Sequence, residues 1–192
     1  MYAPITFHTI PNWRLSEESV VISGVIANKS ITRIYTDTGS EADLLYLYCF
    51  KDYPFSVKDR LRYKNLKITG IMGESIRATG KVKLDVTLGA HPLIRTEIVD
   101  FTVLDGISRF NVLFGRRTLR KFGAIISTPH AELRFSTPNG VDVIHSEYVG
   151  PARERSVIYE AHGNFVRGGP SRQLFNRNDV NGYFKPPKMW EP

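Results

Sequence analysis

Short alternations of hydrophobic and polar residues run along the chain from Val20 to about Val143. The clearest covers residues 81–88, and its apolar positions are Val82, Leu84, Val86 and Leu88. The same period recurs at Val99, Phe101 and Val103, and again at Leu133 and Phe135. A period of two places apolar side chains on one face of a half-buried strand. Many short strands separated by turn residues predict an all-β barrel or sandwich.

Other segments complete the predicted set of elements. The apolar segments 20–26 and 31–36 predict two strands separated by Asn28-Lys29-Ser30. Ser40-Glu41-Ala42-Asp43 has the form of a capping box before the apolar residues 44–48, which predicts a helix. A second helix is predicted from Arg116 to Phe122, because Gly123 then stands at the C-cap position.

The composition changes after Tyr148. Residues 150–192 hold five Gly and five Pro but only five Ile, Leu or Val, which is too little apolar surface for a fold. We therefore predict an N-terminal lead-in over 1–19, a folded domain over 20–148 and a disordered basic tail or linker over 149–192. Removal of that tail is expected to leave the fold intact.

Charge and cysteine content limit the function classes. The net charge is +7, from 26 Lys and Arg against 19 Asp and Glu, which favours anionic surroundings such as RNA without identifying a partner. The single cysteine, Cys49, allows neither an internal disulfide nor a cysteine-based zinc site. The sequence shows no secretory signal pattern and no apolar run of membrane-spanning length. We expect an intracellular protein, in the cytoplasm or a virus-like particle, with no membrane contact.

The sharpest motif is Asp37-Thr38-Gly39-Ser40, at the end of the apolar segment 31–36. An aspartic protease needs a carboxylate presented at a tight turn. Thr38 can brace such a turn, and Gly39 allows a positive φ and close approach of a substrate backbone. The tripeptide alone is weak evidence, because it arises by chance in roughly one chain in ten of this length. The alternative is a simple strand-to-helix turn with Ser40 as its N-cap.

Two further motifs strengthen the first interpretation. About 75 residues after Asp37 comes the apolar segment Asn111-Val112-Leu113-Phe114 followed by Gly115-Arg116, at the start of the second predicted helix. Between them, residues 68–74 form a glycine-bearing hairpin tip. This arrangement resembles the retropepsins, the retroviral-type aspartic proteases. Residues 5–148 are similar to the protease region of plant gypsy-type retrotransposon polyproteins, through the segments 20–28, 37–45, 110–116, 124–130 and 133–141.

The resemblance implies a retropepsin-like acid protease β-barrel with one or two short helices, and it implies roles for individual residues. Asp37 would be catalytic, Thr38 would hydrogen-bond across a two-fold axis, and Gly39 would accept the substrate backbone. The flap that closes over the substrate would be formed by Gly70, Ile71, Met72 and Gly73. Supporting positions would be Ser40, Glu41, Gly115 and Arg116, with Glu41 as the acidic partner of Arg116. It implies no metal and no other cofactor.

Aspartic protease chemistry needs two carboxylates that share one proton. This chain has one Asp-(Thr/Ser)-Gly sequence and is too short for two lobes, so the second carboxylate must come from another copy. The predicted function is a homodimeric aspartic endopeptidase that cleaves polyprotein peptide bonds of a retrotransposon by water attack. The alternative is an inactive remnant that keeps the fold as a dimerisation or binding module. Departures from the family pattern at Thr36, Ile71 and Arg117 favour this alternative.

Other candidate residues receive less specific interpretations. The five histidines show no metal-ligand spacing, and Cys49 lies among apolar neighbours as expected for a buried, inert thiol. The basic run from Lys58 to Lys67, with Tyr63 inside it, predicts either a weak RNA contact or a solvated loop.

Overall fold

The computed structural model describes residues 3–10, 16, 18–70, 73 and 75–147. The predicted tail and the flap residues Ile71 and Met72 lie outside them. The strands of the described part are β1 Val21–Ile26, β2 Lys29–Thr36, β3 Leu44–Tyr46, β4 Arg62–Thr69, β5 Ser75–Leu88, β6 Arg95–Leu104, β7 Val112–Phe114, β8 Ile125–Ser127, β9 Glu132–Thr137 and β10 Gly140–His145. The helices there are α1 Leu47–Lys51, α2 Phe55–Lys58 and α3 Arg116–Phe122.

Six strands close into a barrel in the order β1-β2-β7-β3-β6-β5. The ring closes where β1 pairs with β5, through Val25 opposite Thr87 and Ile26 opposite Val86. Strand β4 pairs with β5 alone and extends from the barrel as a hairpin arm. A second sheet has the order β10-β9-β8. The predicted all-β barrel is therefore confirmed.

The residues that the alternation selected all lie in the main hydrophobic core, which the barrel shares with the second sheet. Every apolar position named from the period of two, in β5, β6 and β9, is at most 1% exposed. Phe101 and Phe114 meet in the core with ring centroids 6.2 Å apart. Burial of this apolar surface is the main contribution to the stability of the fold.

Helix α3 confirms the second predicted helix, from Arg116 to Phe122. Gly123 ends it with a φ of +56°, and its N–H donates to the carbonyl of Arg120 at 3.0 Å. Leu119 and Phe122 form the buried face, and the Phe122 ring packs edge-on against Phe135 at 6.0 Å. The helix thereby joins the barrel to the second sheet.

The helix predicted after the capping box is wrong in position. Leu44–Tyr46 is strand β3, which lies between β7 and β6 and fills the gap in the barrel wall. The Ser40 hydroxyl donates to the carbonyl of Ala42 at 2.9 Å and caps no helix there. Pairing on both edges of β3 outweighs the local helix signal, and the chain becomes helical only at Leu47.

Two smaller differences concern boundaries and helix count. Strand β2 begins at Lys29, two residues before the predicted start, because Ala27 and Asn28 take positive φ angles of 46° and 63° and form the turn between β1 and β2. Helix α2 was not predicted, so the described part has three short helices. The longest of its helices has seven residues, which is far below a membrane-spanning length.

The described lead-in residues 3–10 form no strand and lie against the second sheet. A ring nitrogen of His130 lies 2.7 Å from the carbonyl of His8. The guanidinium of Arg134 lies 4.8 Å from the ring centre of Phe7 and donates to the carbonyl of Thr6.

Candidate active site

Asp37 stands at the point where β2 leaves the barrel wall between β1 and β7. Its N–H donates to the carbonyl of Phe114 at 2.9 Å, and its own carbonyl accepts the N–H of Ser40 at 3.3 Å. The Gly39 N–H donates to Asp37 Oδ1 at 2.8 Å, which fixes the orientation of the carboxylate. Asp37 is half-buried, while Thr38 and Gly39 are exposed. The turn thus presents an acidic group at the surface from a rigid base.

Glycine at position 39 does not use the positive φ that the sequence allows for it. Gly39 is absent from the residues with positive φ, so the turn does not need the left-handed conformation. A Cβ at this position would lie 3.1 Å from Asp37 Oδ1. Glycine therefore lets the backbone N–H approach the carboxylate closely.

Gly115 brings the second motif against the first. A Cβ on Gly115 would lie 2.6 Å from the carbonyl oxygen of Ala42 and 2.8 Å from that of Ser40, which no real side chain tolerates. The Arg116 N–H donates to the same Ser40 carbonyl at 2.8 Å. The loop of residues 37–43 is thus held against the start of α3, and the two predicted motifs meet in one structural unit.

Asp43 is the residue of this unit that sequence reasoning missed. Its carboxylate is buried, at 5% exposure, and its Oδ1 accepts the N–H of Gly115 at 2.8 Å. Burial raises the pKa of the Asp43 carboxyl, while hydrogen bonds from the Gly115 and Thr118 N–H groups act in the opposite direction. Gly115 is the N-cap of α3 and has no side chain to offer, so Asp43 performs the capping from a distant part of the chain.

One sequence signal could have revealed Asp43. It is a charged residue placed directly before Leu44-Leu45, in a segment that reads as buried. Such a residue needs a hydrogen-bonding partner inside the fold. The capping-box interpretation gave Asp43 a local role instead.

The predicted pairing of Glu41 with Arg116 is wrong for this chain. Glu41 Oε1 contacts the guanidinium of Arg117 at 2.6 Å. Successive residues of a helix point in directions about 100° apart, so Arg117 faces Glu41 when the Arg116 backbone is held at Ser40. Both side chains are mostly exposed, so the pair contributes at most about 1 kcal/mol.

The β4–β5 hairpin confirms the predicted hairpin tip around Gly70 and Gly73. The Gly73 N–H donates to the Gly70 carbonyl at 3.0 Å, and Gly73 has a φ of +85°. The inner face of the arm, with Leu66, Ile68 and Ala78, belongs to one apolar cluster with Leu44, Leu104 and Leu113. The arm therefore packs beside β3, which follows the Asp37 motif, and beside β7, which precedes Gly115-Arg116.

A stacked aromatic pair was also missed. Tyr35 and Phe110 lie 4.6 Å apart with their planes inclined at 20°. Tyr35 precedes Asp37 by two positions, and the guanidinium of Arg109 lies over Phe110 at 5.2 Å. The two rings form an apolar surface, and each belongs to the chain segment just before one of the two motifs.

The described residues offer little for metal or thiol chemistry. No three His, Cys, Asp or Glu side chains among them are grouped as metal ligands. Cys49 is buried as predicted, and this burial raises the pKa of its thiol to about 11. The thiol is therefore protonated near neutral pH and is a poor nucleophile.

A closed six-stranded barrel, an Asp-Thr-Gly turn braced by a Gly-Arg helix start, and a glycine-tipped hairpin define a retropepsin-like fold. The retroviral protease-like domain of Ddi1 from Leishmania major shares it, with a TM-score of 0.52 and 10% identity over 69% of this chain and 97% of that one. EIAV protease complexed with the inhibitor HBY-793 matches with a TM-score of 0.41 and 20% identity, over 62% of this chain and 99% of that one. No family model and no curated protein matches the sequence.

Proposed function

We propose that this chain is an aspartic endopeptidase that works as a homodimer. The observation that carries the proposal is the Asp37 turn, in which the Gly39 N–H fixes one carboxylate oxygen at the protein surface. One such turn per chain supplies half of a two-carboxylate site. A two-fold axis beside the exposed Thr38 and Gly39 would bring two Asp37 side chains together.

The chemistry of such a pair follows from like-charge repulsion. Two carboxylates held close cannot both ionise, so they share one proton. The ionised member accepts a proton from water, and the protonated member donates a hydrogen bond to the scissile carbonyl. Thr38, beside the axis, would hydrogen-bond between the subunits and keep the turns in register.

The substrate would be an extended peptide between the Asp37 turn and the hairpin arm. Backbone groups of the flap, Gly70, Ile71, Met72 and Gly73, would pair with it as an added strand. The resemblance of residues 5–148 to gypsy-type retrotransposon proteases makes a polyprotein the proposed natural substrate. Processing would then take place in the cytoplasm or in a virus-like particle.

A shared site makes the specific activity depend on protein concentration. We expect pepstatin-sensitive cleavage of a quenched-fluorescence peptide library at mildly acidic pH. Specific activity should fall on dilution as dimers dissociate, because a monomer holds one carboxylate. Analytical ultracentrifugation over the same concentrations gives the dimer fraction for comparison.

The same experiment separates the alternatives. Constant specific activity at concentrations where sedimentation shows monomers would contradict the shared site. A dimer that cleaves nothing in the library at any pH would favour the inactive dimerisation or binding module.

A further inference from the structure

The β4–β5 hairpin has two chemically different faces. Residues directly opposite each other in an antiparallel pair point to the same side of the sheet. Ile68 stands opposite Ile76 and Leu66 opposite Ala78, and this side continues into the apolar cluster of the barrel. The other side is basic, and we call it the basic face: it consists of Arg62, Lys67, Arg77, Lys81 and Lys83.

Like charges are paired across the two strands of the basic face. Lys67 stands directly opposite Arg77, and Arg62 directly opposite Lys81. Asp100 lies 3.6 Å from Lys81 and stands directly opposite Lys83 in β6, so it offsets part of the charge at that end of the face. Among the described residues, Lys67 and Arg77 are both exposed and neither takes part in an ion pair. Directly opposed like charges destabilise a hairpin, so folding gives no reason for this arrangement.

The spacing of these cations suits a linear polyanion. Arg77, Lys81 and Lys83 lie at odd-numbered positions of β5 and share one side of the strand. Neighbouring positions on one side are about 6.6 Å apart. A single-stranded nucleic acid in an extended form can place successive phosphates against successive cations at such intervals.

An exposed aromatic residue lies at the outer edge of the hairpin, on the side opposite to the basic face: Tyr63 stands opposite Gly80, whereas Arg62 stands opposite Lys81. Tyr63 follows Arg62 in β4 and is 79% exposed, more than any other large hydrophobic residue of the described part. Strand β4 is the last strand in the order of its sheet, so its outer edge is unpaired within the sheet. A strand of nucleic acid that passes over this edge would bring its bases to the Tyr63 ring, and aromatic rings stack on unpaired bases.

We propose that the basic face and Tyr63 together bind single-stranded RNA. Charge complementarity selects a polyanion, and the exposed ring, reached across the free edge of β4, selects unpaired bases over an acidic polypeptide. Lys67 and Arg77 contact phosphates and Tyr63 stacks on a base. This binding does not depend on peptide cleavage, so it stands or falls separately from the proposed protease activity.

The test measures binding of the full chain to a fluorescein-labelled polyuridine 20-mer by anisotropy between 50 and 200 mM salt. Each phosphate contact on a single strand adds about 0.7 to the steepness of log Kobs against log salt. We expect Lys67→Ala with Arg77→Ala to reduce the steepness by about 1.4. Tyr63→Ala should weaken binding roughly 5- to 150-fold and leave the steepness unchanged.

A matched control is Lys51→Ala with Arg120→Ala. It removes the same charge from two exposed positions outside the hairpin, so both double variants have a net charge of +5, from +7 minus 2. Basic residues at positions other than the four substituted ones are the same in both double variants. Loss of the paired charges at 67 and 77 should not lower the melting temperature, which separates a binding defect from unfolding.

Three outcomes would overturn the proposal. The first is no binding of polyuridine at 50 mM salt. The second is an equal change in both double variants, which would indicate a net-charge effect. The third is competition by polyglutamate as strong as by unlabelled polyuridine, which would assign the surface to an acidic polypeptide.

Discussion

Asp37→Asn is expected to abolish peptide cleavage and to leave the fold and the dimer intact. The amide has nearly the size and shape of the carboxylate, and its oxygen can still accept the Gly39 N–H that contacts Asp37 Oδ1 at 2.8 Å. It cannot take a proton from water, and general acid–base catalysis is worth about 10²–10⁴ in rate. We therefore expect kcat/KM to fall at least about 10²-fold, measured with a peptide that the natural chain cleaves.

A second asparagine variant provides the control. Asp105 is exposed and precedes Gly106, but it lacks the intervening Thr or Ser and lies outside the braced turn. Asp105→Asn makes the same chemical change and should leave cleavage unaltered. Cleavage that survives Asp37→Asn would rule out the mechanism, provided that circular dichroism and sedimentation show a folded dimer in both variants.

The parts of the fold that were predictable from sequence are those in which local pattern and environment agree. The alternation through Val82, Leu84 and Val86 identifies buried positions because each of these side chains points into one barrel core. Gly123 ends α3 in the left-handed conformation, which glycine adopts without contacts from distant parts of the chain. Where local sequence alone determines the secondary structure of a segment, the sequence pattern is sufficient to predict it.

Strand β3 shows the opposite case. Leu44–Tyr46 is only three residues long and owes its extended form to pairing with Leu113 and Val112 on one edge and with residues 102–104 on the other. Those partners lie more than fifty positions away in sequence. A local capping pattern therefore predicted a helix where the barrel requires a strand.

The candidate site divides in the same way. Asp37, Thr38, Gly39 and Gly115 are identified by short motifs, and the structure brings the two motifs together as expected. The bond from the Gly115 N–H to Asp43 spans 72 positions, and no motif encodes it. The choice of Arg117 over Arg116 as the partner of Glu41 depends on the angle at which α3 begins, which only the three-dimensional structure gives.

Asp43→Ala is expected to destabilise the fold through the Asp37 loop. The substitution leaves the Gly115 N–H, which Asp43 Oδ1 accepts at 2.8 Å, without its buried partner. An unsatisfied buried donor costs about 1–3 kcal/mol, which lowers the melting temperature of a chain of this size by roughly 2–4 °C per kcal/mol. Asp43→Asn keeps one acceptor oxygen and should lose much less. Equal losses in the two variants, by thermal or urea unfolding, would contradict the capping role.

The pH dependence of stability separates the charge of Asp43 from its hydrogen bond. Burial raises the pKa of Asp43 in the folded chain above the ordinary value of 3.8, although the facing guanidinium of Arg117 acts the other way. The folded chain therefore binds the proton more tightly than the unfolded chain does. The stability that this group contributes is full below about pH 3.8 and is lost as the pH rises through the folded pKa.

Asn does not titrate, so the unfolding free energy of the natural chain minus that of Asp43→Asn should increase as the pH falls from 7 towards 3.8. Urea titrations of both proteins across this range measure the difference directly. A difference that stays constant would show that burial and hydrogen bonding cancel and leave the pKa of Asp43 unchanged by folding. A difference that decreases with falling pH would show that the carboxylate is stabilised as an anion, with the N–H groups of Gly115 and Thr118 outweighing its burial.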